Sequence, residues 1–442
     1  MSTVHGLLWQ AYFHAKRFPS TWTEFDEFAC QTDVTAQSSM GQQLLSRIKY
    51  FGTRADTLPE WKDASRIDDP TELMNIWSDL PILTKDDLRN RFHPEEIQER
   101  FDIDGVISST GGSTGEPAPF LRDRDMLRRV AAANAYCHLR LGWKPGMAVV
   151  CVWGSERDIG KQRGRRARVS AKLRNFYLVD GYEMNDGTVS RLRAAIDRHA
   201  PVAVYGFTSM LEYVARQLVE SGDVSTQGKV KTAWNGGETL HPLQSELFKR
   251  AFGVPILNLY GGRELGAMAY QSNEGAPLKV LRPHLMLEVL DRDGKPATPG
   301  DIGRLVWTST LCTGTPFLRY DNGDLGRAMP GHTDELGVSV LAEIVGRQSN
   351  VLRLPTGRTI HGLFWNHLFK DYPEIFQFQV ALVNEETLEL RLRGKRISDH
   401  REQQLLHTLH EFTGQCPIDI KWLDRIPLTS QGKLIQVVQE PR

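Results

Sequence analysis

The chain has 442 residues, 40% of them hydrophobic and 24% charged, and its 54 lysines and arginines are balanced by 54 aspartates and glutamates. That length suits about three domain-sized units, with the composition of an ordinary globular protein that buries its cores without disulfides or structural metals. A formal charge of zero excludes a global field that would draw the chain to nucleic acid or to an acidic membrane.

The five cysteines (Cys30, Cys137, Cys151, Cys312 and Cys416) are scattered along the chain. With no Cys-x-x-Cys pair and no histidine at ligand spacing, they argue against a zinc cluster or a disulfide framework and suit a reducing cytosol. The opening apolar run is too short for a signal peptide, and no run approaches the ~18 apolar residues of a spanning helix. The expectation is a cytoplasmic protein with neither a membrane nor a nucleic-acid partner.

The first hundred residues read as helical, with apolar residues three or four apart in Gln42–Tyr50 and Pro70–Leu80. Thr84, with Asp87 three residues on, resembles a capped helix start. From Phe101 to about Val345 the pattern alternates. Gly105–Ser108, Met147–Trp153, Val202–Tyr205, Val230–Trp234 and Pro255–Tyr260 read as buried strands. Asp125–Leu141, Val189–His199, Ser209–Glu220 and Pro242–Phe252 read as helices between them. Such alternation predicts βαβ units and a mainly parallel sheet, with functional residues at the carboxyl ends of its strands. Leu285–Asp291, Gly303–Ser309 and Val338–Ile344 predict a β-rich subregion, with a tight turn at Asp293-Gly294 between the first two. The tail predicts strands at Phe376–Val383, Thr387–Leu392 and Ile418–Trp422 and a helix at Arg401–Phe412. The fold class expected is therefore α/β: a large N-terminal domain over residues 1–346, with mainly parallel sheets, helices and a β-rich subregion. A small, mobile α+β C-terminal domain over residues 347–442 completes the chain, the boundary falling at Gly346–Asn350.

The sharpest local signal runs Ser108-Ser109-Thr110-Gly111-Gly112-Ser113-Thr114-Gly115-Glu116-Pro117. Its glycines let successive N–H groups converge, and its hydroxyls add donors, a combination suited to phosphate oxygens. It lacks both the Gly-Lys-Ser/Thr ending of a Walker loop and the GxGxxG spacing of a dinucleotide fold, and a Ser/Gly stretch by itself is more often a flexible turn.

Five further segments stand in a fixed order behind it. They are Trp234-Asn235-Gly236-Gly237-Glu238, Asn258-Leu259-Tyr260-Gly261-Gly262-Arg263-Glu264, Arg319-Tyr320-Asp321-Asn322-Gly323-Asp324-Leu325-Gly326, Gly346-Arg347-Gln348-Ser349-Asn350 and Pro427-Leu428-Thr429-Ser430-Gln431-Gly432-Lys433. Together with the loop they resemble the motifs of the adenylate-forming superfamily, which includes acyl-CoA synthetases, peptide-synthetase adenylation domains and luciferase-like enzymes. The Leu80–Leu88 segment and the short C-terminal domain resemble the phenylacetate–CoA ligase branch, which also holds capsule-gene-associated relatives.

The resemblance implies an AMP-forming carboxylate–CoA ligase that uses ATP, Mg²⁺ and CoA. Ser109, Thr110, Gly111, Gly112, Ser113, Thr114 and Gly115 would hold phosphates, with Gly236, Gly237 and Glu238 against adenine. Tyr260, Gly261, Gly262 and Arg263 would line the nucleotide site, Glu264 would hold Mg²⁺, Asp324 the ribose hydroxyls, Arg347 ribose or phosphate, and Lys433 would be the adenylation lysine. Three positions depart from the family pattern: Glu116 stands where lysine is usual, Arg263 where threonine is, and Ser349 where the hinge Asp or Lys is.

Trp153, Tyr205, Phe207 and Trp234 are candidate walls of the acid pocket, which would favour an aromatic or arylacetic acid; aromatics at such positions also serve as plain core. One basic stretch, from Arg157 to Arg174, reads either as a solvated loop or as a clamp for an anionic acceptor, the CoA phosphates, or for an acidic substrate, while the lack of interleaved aromatics speaks against nucleic acid. The partners expected are a small carboxylic acid and CoA or another acyl acceptor, with a homodimer left open. Transfer to an amine, a hydroxyl or a carrier-protein thiol, and a nucleotide-binding protein that does not adenylate, are the competing readings.

Overall fold

The computed structural model describes residues 3–30, 33–52, 61–110, 117–153, 169, 171–181, 184–240, 244–282, 284–348, 351–361, 364–365, 368–369, 371–372, 374–426 and 434–440. Gly111–Glu116 of the Ser/Gly loop, residues 157–168 of the basic stretch, Ser349 and Lys433 lie outside these residues.

Helices open the chain: α1 (Thr3–Ala15), α2 (Phe18–Cys30), α3 (Asp33–Gly52), α4 (Pro70–Asn75), α5 (Lys85–Arg91) and α6 (Pro94–Arg100). At α5 the expected cap is present in full. The Asp87 N–H donates to Thr84 Oγ1 at 3.2 Å, and the Thr84 N–H donates to Asp87 Oδ2 at 2.8 Å.

The segment Gly105–Ser108, expected as a buried strand of the parallel sheet, forms β1 (Gly105–Ser109) in an antiparallel hairpin with β2 (Pro119–Asp123). β1 is half-buried, with Val106 exposed. The reason is local: β1 pairs with the next strand in the chain rather than reaching a parallel partner by a crossover through a helix. Asp123 then caps α7 (Arg124–Arg140) by accepting from the Met126 N–H at 2.8 Å.

A parallel sheet comes next, in the order β4-β3-β5-β6-β7 among the described residues. Its members are β3 (Ala148–Trp153), β4 (Phe176–Asp180), β5 (Val202–Gly206), β6 (Val230–Asn235) and β7 (Ile256–Leu257). The helices Asp186–His199, Thr208–Glu220 and Gln244–Phe252 cover one face, where Val150, Val152, Val204 and Leu211 form a core. On the other face Ala203, Trp234 and Val149 pack with Leu141 and Trp143 and with Phe13 of α1. Burial on both faces explains the nearly unbroken apolar runs of these strands.

The expected strand Pro255–Tyr260 is divided. β7 stays in the parallel sheet, while Leu259 begins β8 (Leu259–Gly262) of a second sheet. That sheet adds β9 (Gly266–Gln271), β10 (Leu278–Val280), β11 (Leu285–Leu290), β12 (Ile302–Ser309), β13 (Tyr320–Ala328), β14 (Thr333–Asp334), β15 (Gly337–Val338) and β16 (Val340–Arg347). The order among the described residues is β14-β15-β11-β12-β13-β16-β10-β9-β8. The expected turn at Asp293-Gly294 closes locally, with Gly294 at φ +80°. The chain then runs on to Ile302 before β12 pairs with β11, so the turn is part of a longer connection.

A buried ion pair locks the N-terminal segment to this sheet. Arg319, 1% exposed, donates from Nε and Nη2 to the Glu288 carboxylate at 3.0 and 2.9 Å. Its Nη1 donates to the carbonyls of Ser78 and Leu80. Leu83 pairs beside it with Tyr320, accepting from the Asp321 N–H at 2.8 Å.

Two compact units divide the chain, one up to Ile344 and a second from Val345 onward. Within the second, β17 (Val351–Arg353) pairs with β18 (Thr359–His361). β19 (Ile375–Val383), β20 (Thr387–Gly394), β21 (Ile418–Trp422) and β22 (Val437–Glu440) form a sheet in the order β21-β20-β19-β22. The helix Asp399–Thr413 contributes Leu405 and Leu409 to this unit's core. No helix among the described residues is long and apolar enough to cross a membrane.

Candidate active site

Strands β3, β5 and β6 end side by side, with Val152 opposite Gly206 and Gly206 opposite Asn235. In open α/β sheets the ligand crevice lies beyond such carboxyl ends. Asn235, fully buried, organises this edge. Its Nδ2 donates to Thr208 Oγ1 and to the Glu238 carbonyl, both at 2.9 Å, and its Oδ1 accepts from the Leu259 N–H at 3.1 Å. One side chain thus ties β6, the start of the Thr208–Glu220 helix and the first strand of the second sheet together.

The neighbouring Gly-Gly is explained by what it touches. A Cβ on Gly236 would fall 2.7 Å from the Tyr205 hydroxyl, so the Tyr205 ring lies directly on this backbone. The Glu238 carboxylate turns to the helix, accepting from the Ser209 N–H at 2.7 Å and from its hydroxyl at 3.0 Å. A carboxylate there is favoured by the orphan N–H groups of the helix start.

The four aromatic wall residues are brought together. Trp153 stacks on Phe207 with centroids 3.8 Å apart, Trp153 and Tyr205 lie 5.3 Å apart, and Tyr205 and Trp234 lie 5.9 Å apart. Phe207 and Trp234 are buried, whereas Trp153 and Tyr205 are half-buried at the crevice edge. His138 of α7, not singled out in the sequence, joins them 5.0 Å from the Trp234 ring. Burial pushes its imidazole down to about 4, so it is neutral at neutral pH.

Tyr260 of β8 donates its hydroxyl to Asp324 Oδ2 at 2.6 Å. Asn322 Nδ2 donates to the same hydroxyl at 2.7 Å and to Asp324 Oδ2 at 2.9 Å, and the Asp324 N–H donates back to Asn322 Oδ1 at 3.0 Å. β8 and β13 are not neighbours in the sheet, so this bond requires the sheet to curl until its edge strand meets β13. Asp324 and Asn322 are buried, at 7% and 8% exposure. Sequence reasoning had Tyr260 and Asp324 but not Asn322, although it stands inside the same segment.

Glu264, 9% exposed, sits with Arg263 in the turn between β8 and β9. Two side chains hold that turn. Arg122 Nη1 of β2 donates to the Arg263 carbonyl at 3.2 Å, and Asn134 Oδ1 of α7 accepts from the Ala267 N–H at 2.8 Å. Gly266 packs so closely on α7, at φ +77°, that a Cβ would meet Val130 Cγ1 at 2.4 Å. Gly261 and Gly262 lie in β8 before the turn, and Arg347 ends β16.

Ser109 ends β1, and Thr110 closes the base of the Ser/Gly loop. The Thr110 N–H donates to the Ala118 carbonyl at 2.9 Å, and its hydroxyl accepts from the Ala118 N–H at 3.0 Å. This buried hydroxyl is therefore engaged in holding Thr110 to Ala118.

No protein-family model matches the sequence. The chain is 24% identical to a phenylacetate–coenzyme A ligase of Thermus thermophilus, over 82% of this chain and 84% of that protein. It is 23% identical to the phenylacetate–coenzyme A ligase of Escherichia coli, over 70% and 71% of the two chains. Among solved structures it resembles a 2-hydroxyisobutyryl-CoA ligase in the postadenylation state, with a TM-score of 0.69, 16% identity and coverage of 93% and 90%. By sequence over most of its length this chain resembles phenylacetate–coenzyme A ligases, and its fold is that of the 2-hydroxyisobutyryl-CoA ligase structure.

Proposed function

We propose that the protein is a cytoplasmic ligase that activates an aromatic or arylacetic acid with ATP as an acyl-adenylate and passes the acyl group to CoA. The observation that carries this reading is the Tyr260–Asn322–Asp324 cluster. A buried aspartate held by two neutral donors is a preformed acceptor for a diol, as the ribose of ATP requires. The aromatic set Trp153, Tyr205, Phe207 and Trp234 supports an aromatic acid, as do relatives whose names specify phenylacetate.

In the first step a carboxylate oxygen of the acid bonds to the α-phosphorus of ATP. The bond from that phosphorus to the bridging oxygen breaks, and pyrophosphate leaves with the electron pair. In the second step the CoA thiolate sulfur bonds to the acyl carbon and AMP leaves. Two anions meet in the first step, so the site must supply positive charge and donors aimed at the phosphates. Lys433 would supply a cation between the carboxylate and the α-phosphate, and residues 109–115 would hold the remaining phosphates.

Among the described residues no cluster of three or more His, Cys, Asp or Glu side chains could cage a metal. A lone carboxylate such as Glu264 fits Mg²⁺ all the same, because that ion is commonly held by one or two carboxylates together with substrate phosphates. Held there, Mg²⁺ would neutralise phosphate charge.

The test is ATP–pyrophosphate exchange across a panel of aryl and arylacetic acids, followed by CoA-dependent AMP release. Lys433→Ala should lower exchange by roughly 100-fold or more while sparing thioester formation from supplied acyl-adenylate. Equal loss of both half-reactions would sink the assignment of the lysine, and exchange that no acid stimulates would sink the reading as a whole.

A further inference from the structure

We propose that Arg122 is a positioning residue of the adenylation site, holding the turn that aims Glu264 at the cation of the metal–ATP complex. The inference rests on the adenylation reading above. Arg122 lies on β2, the strand that leaves the Ser/Gly loop, and its guanidinium passes 5.5 Å over the Phe120 ring. From there Nη1 reaches the carbonyl of Arg263, the residue immediately before Glu264.

The surroundings are poor ones for a charge whose role is stability alone. Nε is buried and finds no acceptor among the described residues. Burial pushes the guanidinium below its ordinary range, and the neighbouring Cys312 and Glu264 push it back up. Cys312 is fully buried, its thiol pushed up to about 12 by burial, so it is a neutral neighbour at ordinary pH. A stabilising arginine is expected in a bidentate carboxylate pair, as at Arg319, whereas Arg122 spends its directed bond on one backbone carbonyl.

That carbonyl is well chosen for positioning. The hairpin leaves few soft joints between Arg263 and Ala267, because Asn134 holds its far side and Gly266 is pressed on α7. Arg122 is the matching hold on the near side. The strand that leaves the loop and the turn bearing the metal-directed carboxylate are thereby fixed to each other by one bond.

The experiment measures Mn²⁺ binding by electron paramagnetic resonance in the presence of α,β-methylene-ATP, for wild type, Arg122→Met and Arg122→Lys. Exchange kinetics are followed alongside. Loss of a nearby positive charge would by itself tighten cation binding, so positioning and electrostatics predict opposite signs. Arg122→Met is expected to weaken Mn²⁺ binding about tenfold and to lower the exchange kcat by a similar factor, the range seen when groups that orient a metal ligand are removed. Arg122→Lys, whose ammonium can still donate to the Arg263 carbonyl, should recover most of both. Arg122→Gln serves where the Met variant does not fold. Unchanged or tighter Mn²⁺ binding in a folded, uncharged variant overturns the proposal. Wild-type protein that shows no acid-dependent exchange overturns the adenylation reading instead.

Discussion

Tyr260→Phe isolates one hydroxyl at the centre of the candidate nucleotide site. That hydroxyl donates to Asp324 Oδ2 at 2.6 Å and accepts from Asn322 Nδ2 at 2.7 Å. Its removal takes one donor from a buried carboxylate, a charged hydrogen bond worth about 1.5–3 kcal/mol. Asn322 keeps its direct bond to Asp324, at 2.9 Å, so its amide is not wholly orphaned and the lower part of that range applies. If Asp324 meets the ribose hydroxyls in ground state and transition state alike, the loss falls on binding. The KM for ATP should then rise about 10-fold, with kcat changed by no more than about 3-fold. The assay is steady-state exchange at saturating acid with ATP varied, and thermal unfolding measured in parallel. A variant with lowered Tm and unchanged KM for ATP would refute the reasoning, since the cluster would then be a purely structural network.

Two further predictions concern the scaffold. Arg319→Met takes the donors from the Ser78 and Leu80 carbonyls and leaves Glu288 with the Trp77 indole N–H, at 3.1 Å, in place of the guanidinium in a buried site. Urea unfolding should show a loss of about 3–5 kcal/mol, the cost of breaking one side of a buried pair, and a loss under about 1 kcal/mol would contradict the packing described. His138 makes stability depend on acid. Its folded-state value of about 4 lies below the 6.5 of the free side chain, so the unfolded chain takes up the proton first as pH falls. The stability is complete above about pH 6.5 and is lost progressively toward pH 4, by at most about 3 kcal/mol and less because the residue keeps some exposed surface. Denaturant midpoints at pH 7.5 and pH 5 should converge in His138→Gln; an unchanged pH slope would remove the histidine from the account.

What was legible in the sequence was what is decided locally or by burial on both faces. The Thr84–Asp87 cap is a contact three residues apart, and β3, β5 and β6 announce themselves as apolar runs because helices or strands cover them on either side. β13 carries Tyr320-Asp321-Asn322-Gly323-Asp324, a composition poor in strand formers, and is a strand because the sheet around it imposes the conformation. The same limit applies at the site. Asp324 and Glu264 could be named from their segments, but Arg122 and Asn134 act on the Glu264 turn from 141 and 133 residues away in sequence. Their only signal was a lone cation in the strand Pro119–Asp123 and a lone amide in α7. Glu238 and Thr110 show the converse. Both stand in the expected segments, and the structure shows their side chains holding a helix start and a loop base.

The two halves of the proposed site are ordered by different forces, and that difference bears on which part of the reaction is fixed. Around the nucleotide, Tyr260, Asn322 and Asp324 are held by directional hydrogen bonds, so a displaced atom loses a bond outright. Around the acid, Trp153 and Phe207 meet face to face and Tyr205 packs on Gly236, contacts that depend on shape and volume rather than on direction. Directional bonds tolerate little change in the group they hold, which would suit ATP, the proposed substrate shared by every activation whatever the acid. Packing contacts can be reshaped by exchanging one ring for another without disturbing the polar network on the second sheet. On the proposed function, differences in acid specificity would therefore be written in the crevice between the ends of β3, β5 and β6, and adenylation itself would rest on the β8–β13 contact.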